Sequence, residues 1–447
     1  MHLLRTQPGG FVPADGIAHL AQTPADIVIL CTGDSHLSLL ASAAEQLPAE
    51  YPSLRLASPA QLQNHASVDL YVEEVLQHAK VILVSVHGGL SYWRYGIERL
   101  VQLAEAGATL ILVPGDDSPD PELTALGNVT AEQAERLWQY LRQGGVENAR
   151  QLFHYLASTW LNGAYAWAEP QALPRVGVYH PNVANAALSD WQSNWSQGQP
   201  VVGLLFYRTH VQSANTAFIH SFCERLAAQG LNPLPIAVAS LKEAACLAVV
   251  ENLLDQAEAR LIINTTGFAQ SNPERPNLHP FRRAVPVLQA ICALDNQPLW
   301  QANPQGLGSR DLAMHIALPE LDGRIITRPI SFKGLAWRSE RSQSDVVCYE
   351  ADLERMDFVA ALARRWVELA RLANADKRIA LVLANYPTRD GRIGNGVGLD
   401  TPAAALNILR ALQAEGYPVE GLPDSGTALI HELLGGVTND LDTLDLR

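Results

Sequence analysis

Lysine is scarce in this sequence of 447 residues: there are four (Lys80, Lys242, Lys333 and Lys377), and none follows a glycine. A phosphate loop needs a Gly-Lys pair to hold the β- and γ-phosphates, so no Walker A motif is present and ATP chemistry falls to another chain. Charge of either sign is thin at 17%, against a typical ~25%, and 46 acidic residues face 32 basic ones for a net charge of −14. That balance argues against non-specific binding to nucleic acid or to an anionic membrane. The five cysteines (Cys31, Cys223, Cys246, Cys292 and Cys348) lie far apart with no CxxC pair. This excludes a disulfide framework and a structural zinc site, and fits free thiols in a reducing compartment. No apolar run reaches the ~18 residues of a membrane span, and the first residues meet Pro8-Gly9-Gly10 before any long apolar stretch. A soluble, cytoplasmic protein is expected.

What is present is a normal globular share of hydrophobic residues, 48%, in a chain long enough for two or three domains. Most of the basic residues are arginine, whose planar fork suits carboxylates and hints at an anionic ligand. The first 115 residues alternate continuous apolar strands ("DIVILCTGD", "KVILVSVHGG", "ATLILVPGDD") with helical patterns. Such alternation predicts a parallel sheet covered on both faces. Residues 118–165 read as helical, with Thr130 as an N-cap. A second unit carries strands at "RVGVYHP", "VVGLLFYRTH", "NPLPIAVA" and "RLIINTTG", a helix at "FRRAVPVLQAICAL" and a long helix over 352–375. A third opens with a strand at "KRIALVLANYP" and stops after one strand–helix pair. The expected fold class is therefore α/β, with successive Rossmann- or flavodoxin-like parallel-sheet domains linked by helices. The units run over 1–170, 171–375 and 376–447, the last apparently incomplete, as in the N-terminal part of a longer protein.

Ligands of open α/β sheets bind beyond the carboxyl ends of strands. There "HGGLSYWRYG" offers His87, Tyr92 and Arg94 beside Gly88 and Gly89, although the glycines alone would serve a tight turn. "FYRTHVQSANT" offers Arg208 and His210, which strand alternation would place on one side. "NTTG" offers Asn264, and Asp116, Asp117 and Asp120 read as solvated turn carboxylates. The densest segment is "SRDLAMHIALPELDGRIITRPISFKG", with Glu320 and Asp322 one residue apart and His315, Arg310, Arg324 and Arg328 nearby. A carboxylate among Ala317, Leu318 and Leu321 would have a raised pKa, fit to move protons or hold a transition metal, and alternation would put both carboxylates on one side. An ion pair bracing an irregular loop is the structural alternative. "NYPTRDGRIGNGVGLDTP" is a glycine loop opening a helix capped by Asp400 or Thr401.

Four segments, "HAKVILVSVHGGLSYWRYGIE", "GLLFYRTHVQSANTAFIHSF", "GLGSRDLAMHIALPELDGRI" and "KRIALVLANYPTRDGRIGNGVGLDTP", together resemble the CobN-type large subunits of aerobic cobaltochelatases. More distantly, "ALPELDG" and the last segment are similar to magnesium-chelatase H subunits. The matches follow the family's order over nearly the whole chain and cover about the first third of what the family has. The resemblance implies insertion of Co2+ into hydrogenobyrinic acid a,c-diamide, a corrinoid precursor, in cobalamin biosynthesis. It implies AAA+ ATPase partners of the CobS and CobT type that use ATP and Mg2+, neither bound by this chain. Glu320 is then the expected base and transient metal ligand, Asp322 its support and His315 a further metal ligand. His87, Tyr92, Arg94, Arg208, His210 and Asn264 are the expected tetrapyrrole contacts. A non-catalytic tetrapyrrole-binding or assembly module, a magnesium-chelatase H-like protein and a two-domain glycosyltransferase-like enzyme are the competing readings.

Overall fold

The computed structural model describes residues 16–183, 185–271, 280–383, 393–394 and 396–436. The chain divides into two compact units, Met1–Arg364 and Arg365–Arg447. The first holds two sheets. One contains β1 (Ile27–Cys31), β2 (Leu54–Ala57), β3 (Val81–Val86) and β4 (Thr109–Pro114), all parallel in the order β2-β1-β3-β4. Successive side chains of a strand point to opposite faces. Accordingly, Ile27, Ile29 and Cys31 pack in one core while Val28 and Leu30 pack in another. Crossovers run through helices Asp34–Ala44, His65–Glu74 and Arg94–Glu105. Helix Ala131–Gln143 begins at Thr130 as expected, through a reciprocal capping box: Thr130 Oγ1 accepts from Gln133 N at 3.2 Å and Gln133 Oε1 from Thr130 N at 3.0 Å.

The second sheet contains β5 (Val176–Val178), β6 (Val201–Tyr207), β7 (Asn232–Val238), β8 (Leu261–Asn264), β9 (Val287–Ala293), β10 (Ile325–Ser339) and β11 (Ser344–Ala351). Its order is β11-β10-β9-β8-β6-β7-β5. The five inner strands are parallel and both edge strands antiparallel. The helix expected over "FRRAVPVLQAICAL" is instead β9, fully buried between β8 and β10. A short apolar run does not by periodicity alone separate buried strand from helix, and the slot between two strands decided it.

From Ile325 to Ala351 the chain forms a long hairpin, not foreseen from the sequence, that serves both sheets. Beyond its pairing with β9, its tip lies against the first sheet: Leu56 N donates to Ser342 O at 3.2 Å and Ser339 Oγ to Glu45 Oε1 at 2.7 Å. Val346 of β11 is part of the same core as Ile27 and Ile29. The long helix forms over Leu353–Arg371.

In the second unit, helices Thr401–Ala414 and Gly426–Gly435 pack together. Asp400 caps the first, its Oδ1 accepting from Ala403 N at 3.0 Å. The strand expected over 377–387 is absent from 377–383, and 384–387 lie outside the described residues.

Candidate functional site

Each sheet has a point where the chain reverses its direction of growth, and ligands of such sheets gather there. In the first it lies between β1 and β3. Thr32 Oγ1 accepts from His87 N at 2.9 Å, the rings of His36 and His87 stack with centroids 6.4 Å apart, and Asp34 Oδ2 meets Lys333 Nζ of β10 at 2.9 Å. A Cβ on Gly33 would sit 3.2 Å from His87 Nε2, so the missing side chain admits the ring. Gly89 has φ +67° and faces Asp120 Oδ2, 2.8 Å from where its Cβ would be; turn geometry alone requires glycine here. Tyr92 is half-buried in the turn Leu90–Tyr92, and Arg94 is exposed at the start of its helix. The depression beside Gly88 and Gly89 is lined by Asp116, Asp120 and Glu122. On that side an anion would meet carboxylates.

In the second sheet the reversal lies between β6 and β8, where Tyr207 Oη donates to Gly267 O at 3.2 Å. Arg208 and His210 do not project together as strand alternation predicts. The chain turns helical at Arg208 and continues as the short helix Thr209–Gln212. Arg208 Nη1 donates to Leu173 O at 2.8 Å and Pro174 O at 3.3 Å, and burial holds its guanidinium below the usual range. His210 is buried with its ring 5.0 Å from Phe218 and 5.2 Å from Tyr349, and burial pushes it down to about 3, so it is neutral at pH 7. Asn264 is fully buried. Its amide donates to Gln289 Oε1 at 3.0 Å and Thr266 O at 3.2 Å and accepts from Thr266 Oγ1 at 3.0 Å. Neither His210 nor Asn264 presents a group to a ligand.

The segment around "ALPELDG" is helical to Glu320, through the π-helical turn Leu312–Ala317 and the turn Leu318–Glu320. Alternation of an extended strand therefore does not apply. Glu320 is exposed, so the apolar enclosure expected around it is not there. Asp322, two residues on, is buried. Its Oδ2 accepts from Arg324 Nη2 at 2.6 Å and Gln270 N at 2.7 Å, and its Oδ1 from Ser271 N at 2.7 Å. Both side chains of this ion pair are at most 1% exposed. Arg324 Nη1 continues to Gln289 Oε1 at 3.0 Å and Thr266 O at 3.3 Å. A buried polar chain thus runs from Asn264 through Gln289 and Arg324 to Asp322, fixing the base from which Glu320 projects. His315 is buried, and burial pushes its ring down to about 4. Its Nε2 lies 3.7 Å from Oδ1 of Asp311, whose carboxyl burial pushes up to about 6. Sequence reading missed Asp311, although the spacing Asp-x-x-x-His in "DLAMH" was available to find it. Among the described residues, no three His, Cys, Asp or Glu side chains gather closely enough to hold a metal.

Residues 138–447 match the family described as CobN/Magnesium Chelatase. The chain belongs to that family. It is 77% identical over all 447 residues to the aerobic cobaltochelatase subunit CobN of Pseudomonas aeruginosa, of which it covers 36%. It is 27% identical over 66% of its length to the magnesium-chelatase H protein of Chlorobaculum parvum, covering 24% of that protein. The catalytic subunit of cobaltochelatase from Mycobacterium tuberculosis superposes with a TM-score of 0.66 at 31% identity, over 92% of this chain and 33% of that one. The chain thus spans about a third of the length of its cobaltochelatase relatives. Both the fold class and the family resemblance of the sequence are borne out. No helix among the described residues is long and apolar enough to cross a membrane.

Proposed function

We propose that this chain is the tetrapyrrole-binding N-terminal part of the large subunit of an ATP-dependent cobaltochelatase, acting in the cytoplasm in cobalamin biosynthesis. Cobalt is the substrate metal and hydrogenobyrinic acid a,c-diamide its acceptor. AAA+ subunits of the CobS and CobT type bind ATP and Mg2+, consistent with a chain that has no phosphate-loop lysine. The identity of 77% to a CobN protein across every residue carries this reading; the magnesium-chelatase relative matches over two thirds of the chain at 27%.

In this reading, His87, Tyr92 and Arg94 at the first crevice meet the corrinoid carboxylates. Arg208, half-buried at the second, steadies the linker carbonyls behind it, and His210 and Asn264 shape the floor without touching substrate. Metal insertion strips ligands from the ion and removes protons from ring nitrogens. A carboxylate serves both steps, as oxygen donor and as proton acceptor. Exposure of Glu320 beside a braced segment supports this role for it, and Asp322, both of whose oxygens are engaged, is its positioning residue. The test is insertion by the full-length subunit with its ATPase partners, followed by the absorbance change of the macrocycle. ATP-dependent cobalt insertion into the corrinoid precursor is expected. Magnesium insertion into a porphyrin with no cobalt insertion would replace this reading with the magnesium-chelatase one.

A further inference from the structure

Three features of the fold hold Asp311 and His315 together. The π-helical turn Leu312–Ala317 sets them on one side of the segment, and such turns cluster at functional sites. The turn docks on the loop leaving β8 through a hydrogen bond from Phe268 N to Met314 O of 2.8 Å. The His315 ring rests over Gly267, where a Cβ would come within 3.5 Å of its Cε1 and 3.2 Å of Met314 O. Both side chains are more than nine-tenths buried. Asp311 Oδ2 accepts from Leu294 N at 3.0 Å, but Oδ1 has no hydrogen-bond partner, and neither has His315 Nδ1. The separation of 3.7 Å between Oδ1 and Nε2 is too long for a hydrogen bond. A buried carboxylate oxygen left without a partner is costly, and a bound cation is a standard reason for one to persist.

We propose that Asp311 Oδ1 and His315 Nε2 form a holding site for a divalent transition metal ion. Donor distances of about 2.0–2.2 Å, usual for imidazole and carboxylate on a first-row divalent ion, fit this separation with an angle at the ion of about 120–130°. Imidazole with carboxylate suits such ions, whereas Mg2+ asks for near-octahedral oxygen. Asp295 adds negative charge beside Asp311. Two protein donors are fewer than the three or four of resident sites, as befits an ion to be passed on. Identifying that ion with the cobalt cargo rests on the cobaltochelatase reading; the binding itself does not.

Titration of cobalt chloride into the chain, followed by visible d–d absorption and calorimetry, tests the site. One Co2+ per chain with an intensified low-coordination spectrum is expected, and excess Mg2+ should not displace it. Asp311→Asn keeps an acceptor for Leu294 N and removes a buried charge, so it should fold at least as stably. It should weaken Co2+ binding tenfold or more and abolish the rise in melting temperature that Co2+ gives. His315→Gln should weaken binding similarly. No saturable binding by the unsubstituted chain, or unchanged affinity in a folded Asp311→Asn chain, overturns the proposal. Chelation by the full-length complex is assayed separately. An active complex whose large subunit binds no Co2+ here removes the site and keeps the function; Co2+ binding without chelation does the reverse.

Discussion

The two sheets of the first unit follow one topological rule and use it in opposite ways. At the reversal point of the first, His87, Tyr92 and Arg94 stay at least partly accessible, and glycines hold the turn. At that of the second, the protein has filled the space with its own polar groups: the Asn264–Gln289–Arg324–Asp322 chain, the aromatic nest around His210 and the docked π-helical turn. A partly open crevice and a rigid support thus come from the same architecture. What separates them is whether side chains of the following segments return to close the crevice.

The contrast breaks most sharply at Asp322. Asp322→Ala leaves the Arg324 guanidinium buried without its counter-ion and should cost about 3–5 kcal/mol in denaturant unfolding. A loss below about 1 kcal/mol would mean the second crevice is not internally braced. Two residues away, Glu320→Gln should leave stability within about 0.5 kcal/mol, because the side chain is exposed. Chelation by the full-length complex should nevertheless fall about 100-fold or more, the scale of a lost acid–base group. Near-normal turnover would return Glu320 to the surface and send the search for the base elsewhere.

His210 sharpens the comparison through pH. Its folded value of about 3 lies below the ordinary 6.5, so between these the unfolded chain binds the proton and the folded chain does not. Stability is therefore complete above about pH 6.5 and is lost as pH falls toward 3, at about 1.4 kcal/mol per pH unit. Asp311 works the other way: its folded value of about 6 exceeds the ordinary 3.8, so acid favours the folded state between those values. His210→Phe should remove its own share, leaving the drop between pH 6.5 and 5 smaller by about 2 kcal/mol. An unchanged pH profile would show that the imidazole reaches water. The smallest effect is expected at the joint between the sheets. Lys333→Met removes the pair with Asp34 and should cost about 1 kcal/mol or less, shrinking further in high salt.

The sequence showed the first sheet because its strands are unbroken apolar runs, buried on both faces. β2 escaped notice: "LRLA" is four residues long, and Arg55 interrupts its pattern while its guanidinium is spent on Thr23 O and Leu54 O. The hairpin escaped because "RSQSDV" carries its polar residues to a buried seam, where Ser342 Oγ and Ser344 Oγ bond to each other at 2.8 Å. At the candidate site, composition pointed to Glu320, Asp322 and His315 but not to their orientation. Pro319 suggests a break in a helix, yet it stands in the first positions of a last helical turn, where proline is tolerated. The wrong period then exchanged an outer carboxylate for an inner one. The pairing of Asp322 with the amides of Gln270 and Ser271 joins residues about fifty positions apart, which no local pattern encodes.

The hairpin tip also sets an order of events in the making of the protein. β2 is an edge of the first sheet, and within it Leu56 N and the Arg55 guanidinium are met by Ser342 O and Arg341 O. The covering residue Arg341 follows Arg55 by 286 positions. At about 5–20 residues per second, the ribosome leaves that edge open for roughly 15–60 s after β2 emerges. An unpaired strand edge is a template for other chains. Nascent chains stalled before residue 341 should therefore aggregate or recruit chaperones, and those released after 351 should not. The sheet that emerges earlier of the two waits for the later one before its edge is covered.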